Sequence, residues 1–102
     1  MIIIQNYING KFQSTDKNIE DINPATGEII ASIPKSNSNE VQMAVDAADK
    51  ARKGWSELSL EERTQWLDKI ADSLESRSEQ IASLESLDTG KPVSLARAVD
   101  AS

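Results

Sequence analysis

Leu84-Glu85-Ser86-Leu87-Asp88-Thr89-Gly90-Lys91-Pro92 is the stretch whose reading decides the fold. Leu84 and Leu87 continue an apolar helical face. Gly90 stands where a left-handed cap ends a helix, and Pro92 stands where a helix does not simply continue. Asp88 is the odd residue of the group. A carboxylate near a helix C-terminus faces the negative end of the helix dipole and needs a positive answer. That answer is Lys91, a backbone donor or a bound cation. The plainer reading is a surface aspartate beside a capping glycine.

Working back from this stretch, the spacing predicts helices over most of the second half. Asn37 with Glu40 is a capping-box start, and Val41, Ala44, Val45, Ala48 and Ala51 follow at helical spacing. Gly54 is the expected stop, with Trp55 folded back onto the core. Ser59 with Glu62 starts a second helix whose apolar face is Trp66, Leu67, Ile70, Ala71 and Leu74. Ser76 with Glu79 repeats the device for a third, carrying Ile81, Ala82, Leu84 and Leu87. Pro92 suits the first turn of a fourth, expected over Val93 to Ser102.

The first third reads differently. Ile2 to Ile4 and Tyr7-Ile8 are β-branched and aromatic, and Asn9-Gly10 suits a type I′ turn back into Lys11-Phe12-Gln13. Ser14 to Asn18 is a polar loop. Ile19 to Ile22, the turn Asn23-Pro24-Ala25-Thr26-Gly27 and Glu28 to Ile33 form a second hairpin ended by Pro34. Two hairpins are marginal alone and need a surface to cover.

These motifs fall in the order and spacing of one family. Tyr7 to Phe12, Asn23 to Ile30, the helical positions Val41 to Trp55 and Glu62 to Arg77, and Leu84 to Pro92 with Ala96-Arg97 and Asp100 together resemble the N-terminal part of an aldehyde dehydrogenase. The Leu95 to Asp100 ending is most similar to the members that oxidise muconic semialdehydes. The resemblance implies an α/β fold class: the N-terminal part of a Rossmann-like NAD(P)-binding domain, here two β-hairpins followed by three to four amphipathic helices. It also implies one incomplete domain over 1–102, with hairpins in 1–34 and a helical part in 37–102. The helices would pack on a dinucleotide-binding sheet whose strands come later.

The chemistry implied by the resemblance is oxidation of an aldehyde to an acid. A cysteine thiolate attacks, hydride passes to NAD or NADP, and a glutamate activates water. This chain has no cysteine and no histidine, and its four glycines are far apart. The sequence therefore offers no catalytic residue and no cofactor-binding residue of its own, and the chain alone is expected to be inactive. One family site carries over by position: a monovalent cation, Na⁺ or K⁺, held by the backbone carbonyls of Asp21 and Ile22 and the carboxylate of Asp88. Hard oxygen ligands suit such a cation. The plainer reading has Asp88 pairing locally. Trp55 and Trp66 read as packing residues, Glu61-Glu62 as first-turn charge, and Lys91 as a helix-end cation. Glu85 reads as the partner of Arg63 or Arg97.

Composition narrows the rest. With 102 residues, 38% apolar and 27% charged, the chain is one small soluble unit, and its net charge of -6 argues against nucleic acid. Met1-Ile2-Ile3-Ile4 is too short for a signal or a membrane span, so the expected location is cytoplasmic with no membrane partner. The partners implied by the resemblance are an aldehyde substrate and, for the complete enzyme, further copies of itself as a homo-oligomer. The competing reading is a free-standing helical interaction module without enzymatic activity. The isolated chain is expected to self-associate or to melt with little cooperativity, whereas a monodisperse, cooperatively melting protein would support the module.

Overall fold

A computed structural model describes residues 1–100, excluding the side chain of Asp100. The order is β1 (Ile2–Ile3), β2 (Asn6–Ile8), β3 (Lys11–Gln13), β4 (Asn18–Ile22), β5 (Ile29–Pro34), α1 (Ser38–Glu57), α2 (Leu60–Ser76), α3 (Ser78–Thr89) and α4 (Val93–Leu95), then a π-helical turn at Ala96–Asp100. Strands followed by helices bear out the expected fold class. The chain divides into two compact units. One holds Met1–Asp21 and Ile29–Leu58; the other holds Ile22–Glu28 and the residues from Ser59 onward.

In the first unit, β2 and β3 pair antiparallel with Tyr7 opposite Phe12 and Ile8 opposite Lys11. Asn9 (φ 53°) and Gly10 (φ 77°) both take positive φ, as a type I′ loop requires. The Tyr7 and Phe12 rings lie 5.0 Å apart at 60° on one side of the ribbon. Ile8, on the other side, is 7% exposed. The isoleucine run does not extend this hairpin. β1 instead pairs parallel with β5, Ile2 opposite Ala31 and Ile3 opposite Ser32, which sets the sheet order β1-β5-β4. Both segments are equally β-prone, so the choice is tertiary: pairing places Ala31, 3% exposed, in the middle strand.

The helix starts follow local chemistry. At α1 the Glu40 N–H donates to Asn37 Oδ1 (3.0 Å) and the Asn37 N–H donates to Glu40 Oε2 (3.2 Å). Ser59 and Glu62 repeat this at α2, at 3.1 and 3.2 Å. Each such cap contributes about 1 kcal/mol. The third expected box is absent. Ser76 is the last residue of α2, and its hydroxyl donates to the Ser73 carbonyl; α3 starts after Arg77 with no side-chain cap. One residue between two helices leaves no room for a free serine N-cap.

Gly54 does not stop α1, which runs to Glu57 and ends at Leu58 (φ -66°, ψ 148°). A helical glycine costs about 1 kcal/mol against alanine but keeps its N–H, so the helix continues until the next cap residue claims extended backbone. Trp55 stays 43% exposed, beside Val45, Ala48 and Ala51 on an open apolar groove of about 690 Å³. The fourth helix is one α-turn; Pro92 is its N-cap, and the expected run to Ser102 becomes π-helical from Ala96. The end of that expectation, Ala101 and Ser102, lies outside the described residues.

In the second unit α3 packs on the π-helical turn, with Ala82 and Ala96 completely buried. Arg97 braces this packing: its Nε donates to Glu79 Oε1 at 2.6 Å and its Nη2 to Glu79 Oε2 at 3.1 Å. The hydrogen bond from Arg97 holds the Glu79 carboxyl below its ordinary value of 4.5, with the guanidinium charge adding to it and partial desolvation opposing it. A depressed carboxylate stabilises the fold above its unfolded value and loses that contribution as pH falls through the folded one. NMR titration of Glu79 should therefore show a midpoint below 4.5. Arg97→Gln should raise that midpoint toward the ordinary value, lower the stability of this unit at neutral pH and make that stability less dependent on pH between neutral and acid.

Candidate functional site

The turn Ile22–Glu28 and the end of α3 lie in the same unit. The turn closes on itself. The Asn23 N–H donates to the Glu28 carbonyl (2.9 Å), the Gly27 N–H to the Asn23 carbonyl (2.8 Å) and the Ala25 N–H to Asn23 Oδ1 (2.9 Å). Pro24 therefore projects from a fixed loop. It meets α3 where that helix ends: Gly90 is left-handed (φ 77°), its N–H donates to the Ser86 carbonyl, and a Cβ there would stand 3.0 Å from Pro24 Cγ. The end is tied down further by Ser86 Oγ donating to the Lys91 carbonyl (2.6 Å) and Thr89 Oγ1 to the Glu85 carbonyl (2.8 Å).

Of the cation ligands read from the sequence, Ile22 opens the turn two residues before Pro24, and Asp88 precedes Gly90 by two. The Pro24–Gly90 contact thus brings the two segments together. Asp88 is exposed, and its carboxylate makes no hydrogen bond or ion pair with the described residues of its own unit. Asp21 is half-buried and already engaged in an interaction. Among the described residues no group of three or more acidic, histidine or cysteine side chains is placed to hold a metal. A cation here would depend on backbone carbonyls and one carboxylate.

The other expected pairings are rearranged. Lys91 Nζ lies 3.8 Å from Glu85 Oε1, so Glu85 pairs with neither Arg63 nor Arg97. Arg97 is taken by Glu79, and Arg63 has its Nε buried without a partner. Chain proximity explains the swap: once Gly90 reverses the chain, Lys91 returns alongside the last turn of α3. Trp66 is 52% exposed, with the Lys69 ammonium 4.5 Å from the ring centroid, an exposed cation–π contact rather than a ligand platform.

The described residues offer no seat for a dinucleotide. Gly10 and Gly27 are in tight turns, Gly54 is inside α1 and Gly90 is packed on Pro24. No two share a loop that wraps a phosphate. What sequence reasoning missed is the Pro24–Gly90 contact and the Arg97–Glu79 pair. Both join positions far apart in the chain, and nothing local announces either. The one available signal was the need of an α3 end crowded with Asp88 and Thr89 for outside support.

Comparison with known proteins gives a consistent picture. The model of the "Aldehyde dehydrogenase family" matches residues 11–102. The 2-aminomuconic semialdehyde dehydrogenase of Bos taurus is 40% identical over 98% of this chain, which corresponds to 20% of that enzyme. An aldehyde dehydrogenase from Bartonella henselae superposes with a TM-score of 0.94 at 29% identity, over 99% of this chain and 22% of that one. PnpE, solved in complex with nicotinamide adenine dinucleotide, superposes with a TM-score of 0.90 at 38% identity, over 95% of this chain and 20% of PnpE. The chain spans about a fifth of the length of the relatives it matches.

Gly90→Ala should be costly. It places a side chain in a left-handed conformation, at about 1–2 kcal/mol, and pushes on Pro24 as well. Hydrogen exchange at the last turn of α3 and at the Asn23–Glu28 turn should accelerate together; acceleration confined to α3 would show that the contact does not couple them.

Proposed function

Because this chain belongs to the aldehyde dehydrogenase family, we propose that it serves as the N-terminal segment of an NAD(P)-dependent enzyme oxidising an aldehyde, specifically a muconic semialdehyde, to the carboxylic acid. The family is one of NAD(P)-dependent oxidoreductases. The segment's own part is structural. It forms one incomplete domain over 1–102, the hairpins in 1–34 and the helical part in 37–102. The thiolate, the water-activating base and the NAD or NADP contacts are supplied from outside these residues.

The observation that carries this reading is apolar surface without cover. Leu60, Trp66, Leu67, Ile70 and Leu74 along α2 are all more than half exposed, as are Val41 and Val45 on α1. Neither helix has a buried residue among those described. Faces of this size on a soluble protein mark a surface to be covered. A length of one fifth of the matched relatives agrees with that.

Two finer elements belong to the proposal. Asp21, Ile22 and Asp88 form part of a Na⁺ or K⁺ site, supported by the contact that draws the Ile22 turn to the end of α3 and by an Asp88 carboxylate with no partner among the described residues of its unit. The complete enzyme is a cytoplasmic homo-oligomer acting on an aldehyde, with neither nucleic acid nor membrane as partner. No described helix is long and apolar enough to cross a membrane, and the net charge is -6.

The test is direct. The chain alone, mixed with NAD and an aldehyde, should give no NADH absorbance. A chimera in which it replaces the matching fifth of the bovine 2-aminomuconic semialdehyde dehydrogenase should fold and produce NADH; an insoluble or inactive chimera would count against the assignment. In that chimera, KCl should raise the melting temperature above that in tetramethylammonium chloride at equal ionic strength, and Asp88→Asn should abolish the difference. Identical melting curves for the unmodified chimera would dismiss the cation site.

A further inference from the structure

The hairpin tip of the first unit carries chemistry that neither the fold nor the family reading uses. Six asparagines occur in the chain, at 6, 9, 18, 23, 37 and 39. An asparagine side chain is converted when the next residue's backbone nitrogen attacks its Cγ. That requires a deprotonatable N–H on the following residue, room at that residue and a carboxamide free to turn. The structure withholds one or more of these at five positions.

Asn23 is followed by Pro24, which has no N–H. Asn37 Oδ1 is held by the Glu40 N–H at 3.0 Å; the same bond occupies the nitrogen that would attack Asn39. Asn6 Nδ2 donates to Ser36 Oγ at 2.7 Å, and the bulky Tyr7 follows it. Asn18 is followed by β-branched Ile19, within β4.

Asn9 is different on every count. It is exposed, its carboxamide makes no hydrogen bond among the described residues, and Gly10 follows it. The Gly10 N–H donates to nothing among the described residues, and no heavy atom lies within 4 Å of where a Gly10 Cβ would stand. The left-handed conformation at Asn9 must relax before the Gly10 nitrogen reaches Cγ. A two-residue loop at the tip of a two-stranded ribbon opens at low cost.

We infer that Asn9 is the chain's site of spontaneous succinimide formation and deamidation. Water or hydroxide removes the Gly10 amide proton, and the nitrogen forms a bond to Asn9 Cγ. The Cγ–Nδ2 bond breaks, and ammonia leaves. Water then opens the five-membered imide at one of its two carbonyls, giving aspartate or isoaspartate at position 9. Nothing is oxidised or reduced; the sum is one water gained and one ammonia lost.

The isoaspartate product has a structural consequence. It routes the main chain through the side-chain carbon, adding a backbone atom to a loop whose two residues set the pairing of Ile8 with Lys11. Ile8 is one of the few buried apolar residues and lines, with Asn9 and Ala44, Ala47 and Ala48 of α1, an open groove of about 380 Å³. Conversion at the tip therefore loosens the seat between the ribbon and α1 and adds a negative charge to a chain already at -6.

The experiment is to age the purified chain at mildly alkaline pH in heavy-oxygen water and map its peptides by mass spectrometry, with a urea-unfolded sample beside it. In the folded sample the converted, heavy-oxygen-labelled peptide should be the one containing Asn9, with Asn37 unconverted, and Asn9→Gly should remove most of the converted mass. Unfolding should release Asn37, whose neighbour is the small Ser38, and so raise its share relative to Asn9. Conversion of Asn9 only in urea would overturn the inference, because the folded loop would then be protective. An unchanged ratio of Asn9 to Asn37 in the two samples would also overturn it, since the capping bond would then shield nothing.

Discussion

The left-handed turn at Gly90 is the constraint on which the second unit depends. It ends α3, reverses the chain so that Lys91 returns to Glu85, and leaves the face of the backbone bare where Pro24 approaches. A side chain at this position would meet the proline before it met solvent. The turn that presents Pro24 is stiff because three hydrogen bonds close it and the proline ring fixes φ. Two rigid pieces of chain more than sixty residues apart are thereby put in contact, and the absence of a side chain at Gly90 is what lets Pro24 approach.

That economy runs through the molecule. The apolar residues classed as buried among those described are Ile8, Ala31, Ala82 and Ala96, three of them alanines. Alanine contributes little transfer free energy but allows close approach of backbones. The larger side chains lie on faces that stay open. The helix starts are fixed instead by local devices, the capping boxes at Asn37 and Ser59, while the hydroxyls of Ser56, Thr64, Ser76 and Thr89 satisfy themselves on carbonyls three or four residues back. The capping boxes are worth about 1 kcal/mol each and do not replace a core.

Charge is arranged with the same locality. Glu40, Glu61, Glu62 and Glu79 stand in first turns, where the positive end of the helix dipole favours them. Arg97–Glu79 is the long-range exception. It is bidentate and joins the π-helical turn to the start of α3, so it contributes geometry as well as charge, although both groups are well exposed. Asp88, at the opposite end of α3, is exposed and has no such answer among the described residues of its unit.

Much of the architecture could be read from the chain itself, for a physical reason: its elements are locally encoded. Asn9-Gly10, Asn23-Pro24 with Gly27, the two capping boxes and Gly90 each specify their own backbone through side chains within three residues. The family resemblance was legible for the same reason, since these short motifs lie in fixed order. Only the tertiary structure decided the rest. β1 left its neighbour to pair with β5, Gly54 stayed inside α1, Ser76 lost its cap to the end of α2, Glu85 took Lys91, and the last segment widened into a π-helical turn braced by Arg97. In most of these cases the deciding contact came from elsewhere in the chain, or from the next helix claiming the same residues; at Gly54 the helix continued because glycine keeps its N–H.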